Sequence, residues 1–399
     1  MGLLTRSEQY KIIDLLNCKS VRNIHLVLVV LLFSLSAFGQ ADSSQVDNVI
    51  FYEMIIVNDS VYTVNNHGKV KIWDINKLSL VYEMKDTIPW FTSVSSDKMN
   101  NVYFGTSDGR VYKYLKNEKK FDLELKLRKK KYIIDFVFNS KNELFLILPN
   151  GIYDPKARRL WNKFNLVNSQ VKYRKRYLHY FQKKVSKTFV CPNSVYIDRN
   201  DIIWATRSYG EWGGSLQRFD SRNRKIINTP IDSLNFNRLN PNSVFEDYDG
   251  NVYLTSGIEH LMNWGDIFMI RGTQVNHIYN GDAPENSKRY EDVEVNGELM
   301  KLCHDIRIYI GPGAYNRFDN KIYYYTNLGF FKSSIPENGC IRDQELVLCP
   351  ELILSYAVGA VGMDIPIVNV EFSSKGMLVF LSSKNGVGVY DGVNLVMLK

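Results

Sequence analysis

The chain lacks every linear signature that would announce its chemistry, and each absence narrows the field. No CxxC pair and no Cys/His cluster occurs, which removes a structural zinc site. His67, His179, His260, His277 and His304 show no HxH or HExxH spacing, so a metal site would have to assemble across strands. No cofactor motif is present, and none is expected. Long amphipathic helical periodicity is almost missing, which excludes α/β and helical-repeat folds. No apolar run reaches the roughly 18 residues that a membrane-spanning helix requires. Disorder, collagen and coiled coil are also excluded: 45% of the 399 residues are hydrophobic, 23% charged and 13% aromatic.

What is present begins with a leader. Residues 24–38 read IHLVLVVLLFSLSAF, preceded by Lys19 and Arg22 with no acid between. Ala37-Phe38-Gly39 places small residues where a signal peptidase reads, so residues 1–39 form a secretory signal peptide cleaved near Gly39. An uncleaved anchor is the alternative. The protein is therefore expected in the periplasm, at the cell surface or outside the cell, as a single domain over 40–399. Four cysteines remain: Cys191, Cys303, Cys340 and Cys349. An even number in an exported chain permits two disulfides, and Cys340–Cys349 is the candidate pair; four buried thiols are the other reading.

The mature sequence repeats one pattern. Two extended segments and a Gly-containing turn lead into a short aromatic strand. That strand reads GKVKIWD from Gly68, GRVYKY from Gly109, GIYD from Gly151 and GSLQRFD from Gly214. It continues as GDIFMI from Gly265, GFFK from Gly329 and GVGVYD from Gly386. Six steps over 318 residues give a mean of 53, and seven units fill the 360 residues after the leader. Period-two alternation marks half-buried antiparallel strands, and the glycines suit turns that need positive φ. The expected fold is all-β: a seven-bladed β-propeller, with six or eight blades left open by insertions. The aromatic residues then fill the wedges between blades.

SVFEDYDGNVYLTS (243–256) and SVYIDRNDIIWAT (194–206) resemble the repeat of two-component-regulator propellers. Those form the periplasmic sensor regions of bacterial hybrid histidine kinases. The resemblance is good in two blades and loose in the rest. It implies the fold, and it suggests a detached sensory propeller as one reading of function.

Three segments are candidate sites. Residues 155–190 hold eleven Lys/Arg and no acid, between blades three and four. Val167, Val171, Leu178, Phe181 and Val185 recur at helical spacing, which puts Lys172, Arg174, Lys175, Arg176, Lys183 and Lys184 around a polar side. Such a surface takes an anionic glycan, lipid head group or acidic protein; a solvated helix is the bland alternative. Export argues against nucleic acid. SYGEWGG (208–214) offers Trp212 and Glu211, and GIEHLMNWGD (257–266) offers Trp264, as platforms for stacking on a sugar or as turn closures. DYDGN (247–251) resembles the start of a calcium loop but sits where a hairpin turn belongs. The Cys303-His304-Asp305 run has nucleophile chemistry, yet adjacent strand residues point to opposite faces.

Removing the leader lowers the net charge from +8 to +6, which is less than the eleven bases of 155–190. The chain thus reads as a mildly acidic, monomeric propeller with one basic insert. The expected function is an exported non-enzymatic binding or scaffold module. A propeller lyase or hydrolase with a site at the channel mouth is the alternative, and acids or histidines clustered there would favour it.

Overall fold

The repeat becomes a ring of seven blades, each an antiparallel sheet of four strands consecutive in sequence. The computed structural model describes residues 49–399 except 86–88, 165–188, 211–212, 228–233, 235–238, 259–262, 282–287, 296–297, 306–307, 337–338 and 353–365; for 288–305 it describes the backbone. The leader lies outside the described residues.

Blade one is β1 (Phe51–Val57), β2 (Ser60–Asn65), β3 (Val70–Asp74) and β4 (Ser79–Glu83). Blade two is β5 (Phe91–Ser96), β6 (Val102–Thr106), β7 (Arg110–Leu115) and β8 (Lys120–Lys126). Blade three is β9 (Asp135–Phe138), β10 (Leu144–Leu148), β11 (Gly151–Asp154) and β12 (Arg159–Trp161). Blade four is β13 (Ser194–Ile197), β14 (Ile202–Ser208), β15 (Gly214–Asp220) and β16 (Lys225–Ile227). Blade five is β17 (Pro241–Glu246), β18 (Val252–Ile258), β19 (Trp264–Arg271) and β20 (Gln274–Asn280). A separate hairpin of β21 (Lys288–Val295) and β22 (Glu298–Asp305) follows. Blade six is β23 (Ile310–Asn316), β24 (Lys321–Thr326), β25 (Gly329–Ser334) and β26 (Glu345–Leu348). Blade seven is β27 (Ile367–Phe372), β28 (Leu378–Ser382), β29 (Gly386–Tyr390) and β30 (Leu395–Leu398). There is no α-helix among the described residues.

The first strand of each blade packs against the first strands of its neighbours, so these seven strands surround the axis. Burial follows the interfaces. Seven apolar clusters form, one in each wedge between adjacent blades. Between blades one and two, Phe91, Phe104, Tyr114 and Phe121 cluster at tilted to edge-on angles, with Phe104 to Phe121 edge to face at 5.3 Å and 90°. Each aromatic ring buried in this way removes 150–250 Å² from water, which is why the strands are so rich in Tyr and Phe.

The turn from first to second strand explains the Asp/Asn rhythm of the sequence. Asp97 Oδ1 accepts the Met99 and Asn101 N–H groups, both at 2.9 Å. Asp198 Oδ1 accepts Asn200 and Ile202 at 2.9 Å. The DYDGN segment is the same turn: Asp247 Oδ1 takes Asn251 N–H at 2.9 Å, and Oδ2 takes the Asn251 amide at 2.6 Å and the Tyr253 hydroxyl at 2.8 Å. Protein donors fill the carboxylate that a calcium ion would need.

Each of these turns also bonds to the next blade. Ser140 N and Oγ donate to Asp201 at 2.6 Å, and Arg199 pairs with Glu246 while donating to the Tyr248 carbonyl at 2.6 Å. The same belt closes the ring, because no strand is shared between blades seven and one. Ser374 Oγ donates to Asp59 at 2.7 Å, Asn369 Nδ2 to the Met54 carbonyl at 2.9 Å, and Phe51 N–H to the Ser383 carbonyl at 2.8 Å.

The expectation of a positive φ before each third strand holds for Gly68, Gly109, Gly151, Gly329 and Gly386. Gly214 and Gly265 differ. Close approach requires glycine there: a Cβ on Gly265 would stand 2.4 Å from Ile310 N, and one on Gly214 2.4 Å from the Leu239 carbonyl oxygen.

Candidate functional site at the axial channel

Strand order assigns the loops to two ends of the ring. The turns from first to second and from third to fourth strands occupy one end. The turns from second to third strands, and the connections between blades, occupy the other. All three inserts flagged in the sequence emerge at the second end. The segment starting at 155 first makes a turn and β12, then leaves the ring. Phe164 and Phe189 are buried against each other at 5.2 Å, and Phe189 N–H donates to the Asn162 carbonyl at 3.0 Å. The two ends of the basic stretch are thus pinned together between blades three and four. Lys172, Arg174, Lys175, Arg176, Lys183 and Lys184 lie outside the described residues, as do Glu211 and Trp212. The loop that carries the latter two closes by Tyr209 N–H to the Gly213 carbonyl at 2.7 Å. Trp264 opens β19, half-buried and opposite Ile258.

Three carboxyls on inner strands converge at the axis: Glu53 on β1, Asp135 on β9 and Glu371 on β27. Glu53 feels the charges of both Asp135 and Glu371. Blade two separates blades one and three around the ring, so a side chain of blade one meets blade three across the axis. Each of the three keeps part of its surface open to solvent, although protein encloses it. None forms an ion pair with a Lys, Arg or His among the described residues.

Glu371 is held most firmly. Its Oε2 accepts Ile56 N–H at 3.0 Å and its Oε1 accepts the Asn369 amide at 3.1 Å. Asp135 Oδ1 accepts Phe136 N–H at 2.7 Å. The Glu53 carboxyl makes no hydrogen bond with any described residue. Burial pushes the Glu371 carboxyl up to about 7, against the lowering effect of those two donors. Burial also raises Asp135, and it raises Glu53 well above the carboxylate range, with Asp135 and Glu371 adding repulsion. Carboxyls in this condition hold protons near neutrality, as general acids and proton-linked binding sites do.

Glu53 and Asp135 sit near the starts of their strands, toward the end that carries the inserts. Tyr132, 46% exposed, precedes β9 there, and Cys191 precedes β13 as a half-buried free thiol whose carbonyl accepts Arg207 Nη1 at 2.9 Å. Tyr52 bonds the Phe91 carbonyl at 3.0 Å, and its phenol is pushed up by burial, Tyr132 and Glu53. Tyr52, Glu53, Tyr132 and Asp135 therefore share one mouth of the channel. The strand segments YIIDFVF and IVNVEF contain Asp135 and Glu371 in plain view. A lone carboxylate inside an otherwise apolar inner strand is the signal that reading for strand pattern passes over.

Other candidates separate. Cys340 and Cys349 are free, exposed thiols, and Cys340 Sγ lies 3.8 Å from the His277 carbonyl of blade five. Cys303 stands opposite Tyr290 and His304 opposite Arg289 in the hairpin register, so they alternate between faces. No group of three His, Cys, Asp or Glu among the described residues is arranged to hold a metal ion. No helix among the described residues is long and apolar enough to cross a membrane.

Comparison with solved structures defines the class as a seven-bladed β-propeller like that of virginiamycin B lyase. The selenomethionine form of that lyase from Staphylococcus aureus superimposes with a TM-score of 0.51 at 10% identity, covering 86% of this chain and 96% of that one. A catalytically inactive variant of the same enzyme, with quinupristin, gives 0.50 at 9% identity with coverage of 86% and 96%. At such identities the likeness is one of fold. No family description matches the chain, and no curated protein matches it.

Proposed function

We propose that the protein is an exported binding module that engages its ligand through the end of the propeller carrying the blade-to-blade connections. The observation that supports this reading is convergence: the pinned basic insert, the Tyr209–Gly213 loop, the Ile258–Trp264 loop and the channel mouth all open at that end. The basic stretch provides attraction for an anionic glycan, lipid head group or protein. Export rests on the leader. Mass spectrometry of secreted protein should find an N-terminus near Gln40, and a retained Met1 would defeat the export reading. A glycan and lipid array probed with the mature protein should report anionic ligands. Reversal of Arg174, Lys175 and Arg176 to Glu should abolish that binding; unchanged binding would overturn the proposal.

A second reading, an enzyme acting at the channel, is favoured by one observation: Glu53, Asp135 and Glu371 meet without a compensating cation among the described residues. A carboxyl holding its proton to about pH 7, as Glu371 does, suits general acid–base chemistry. The lyase that shares the fold makes this reading worth testing. Turnover of a bound ligand that disappears in Glu53→Gln, with binding retained, would select the enzyme. Binding without turnover in the wild type would select the module.

A further inference from the structure

The opposite end of the ring contains a cavity of about 310 Å³ between blades one and two. Its origin is a turn-length mismatch. Blade one joins its first two strands by a two-residue hairpin, in which Val57 faces Ser60 while Asn58 and Asp59 take left-handed conformations (φ 49° and 57°). Blade two uses the longer Asp97–Asn101 turn. The belt that seals other interfaces is reduced here to one long contact, Asn100 Nδ2 to Asn58 Oδ1 at 3.4 Å.

We propose that this cavity binds an acidic sugar unit, a ligand bearing a carboxylate beside several hydroxyls. Its floor is the buried ring of Tyr114, packed 6.1 Å from Tyr62. Its wall carries the Asn117 amide, with a donor pair and an acceptor for vicinal hydroxyls, and the Asn58 Nδ2 donors, whose Oδ1 accepts Asn100. Lys116 also lines it and makes no ion pair among the described residues, so the site has a cation for one carboxylate; Lys113 contributes none, because its Nζ lies over the Tyr103 ring, 5.8 Å from its centre, on the blade three side. Glu118 at the rim is already paired with Lys120. The volume is at the small end of ligand pockets, roughly 300–1,000 Å³, which fits one ring rather than a chain. The cavity does not rest on the basic insert, which lies at the other end of the propeller.

Saturation-transfer NMR of the mature protein with D-glucuronate, D-glucose and acetate tests the assignment. Glucuronate should bind in the millimolar range, glucose at least fivefold more weakly, and acetate not measurably. Asn117→Trp, which fills the opening from a surface turn, should abolish glucuronate binding. Lys116→Gln should reduce it to the glucose level. The Arg174/Lys175/Arg176 reversal should leave it unchanged, which separates this site from the array ligand. No transfer to glucuronate, equal transfer to glucose or acetate, or binding undiminished in both pocket variants would overturn the proposal.

Discussion

Replacing Glu371 by glutamine isolates the electrostatics of the channel. This carboxyl lies at the axis and bridges the first and last blades through Ile56 N–H. Burial holds its pKa up at about 7, against an ordinary value of 4.5. Below about pH 4.5 it is protonated in both the folded and unfolded chain, and pH has no hold on stability through it. Between about 4.5 and 7 the unfolded chain releases the proton while the folded chain keeps it, so stability falls as pH rises. Above about 7 both states are ionised and the loss is complete. A gap of about 2.5 pH units corresponds to about 3 kcal/mol. For the roughly 350 residues of the unit Val49–Lys399, with about 2.1 cal/mol/K of unfolding entropy each, that moves Tm by about 4 °C. Glutamine keeps an acceptor for Ile56 N–H and removes the titration. Melting curves followed by circular dichroism between pH 5 and 8.5 should therefore be flatter for Glu371→Gln by about 4 °C, with the variant at or above wild type at pH 8. Parallel pH profiles for the two proteins would refute the reasoning, since they would mean that Glu371 ionises as freely in the ring as in the unfolded chain.

Three further outcomes follow from the packing. Gly388→Ala should cost at least about 2 kcal/mol in urea denaturation, because a Cβ there would stand 2.1 Å from the Phe380 ring; a neutral result would show that the ring moves freely. Arg224 holds Asp154 at 2.7 Å and Glu143 at 3.0 Å across the blade three–four interface. Arg224→Gln should cost about 1–2 kcal/mol at pH 7. Lys156, then Arg224 and Asn139, draw the Glu143 carboxyl down to about 2. Its contribution is therefore complete above about pH 4.5 and fades as pH falls toward 2, so the deficit of the variant should shrink in acid. Asp247→Ala should destabilise by about 2–3 kcal/mol through the loss of three accepted hydrogen bonds. Millimolar calcium should leave the wild-type Tm unchanged; a calcium-dependent rise would reinstate the metal loop.

Much of the fold was legible because the blade is a local unit. The Gly-led third strands recur in the sequence at the spacing that the structure repeats in space, and the Asp-x-x-x-Asn turn marks blades two and five. Departures occur where two blades meet. Gly214 and Gly265 look like their positive-φ counterparts, but they answer to Leu239 and Ile310 of the next blade, which strand pattern alone does not reveal. Asp247, by contrast, is placed at a hairpin turn by its position in the repeat, and Asn251 and Tyr253 occupy its carboxylate there.

The sequence by itself determined the class of fold and the concentration of base in one insert, and it made seven the best count of blades, since each depends on neighbours along the chain. Only the tertiary structure brought Glu53, Asp135 and Glu371 together. They are separated by 82 and 236 residues, and each is an unremarked acid in an apolar strand. Closing the ring encloses all three around one axis, where burial raises each of them and the other two carboxyls add repulsion on Glu53. The cavity between blades one and two has the same origin: a short turn is innocuous alone and becomes a site only when a longer turn is set beside it.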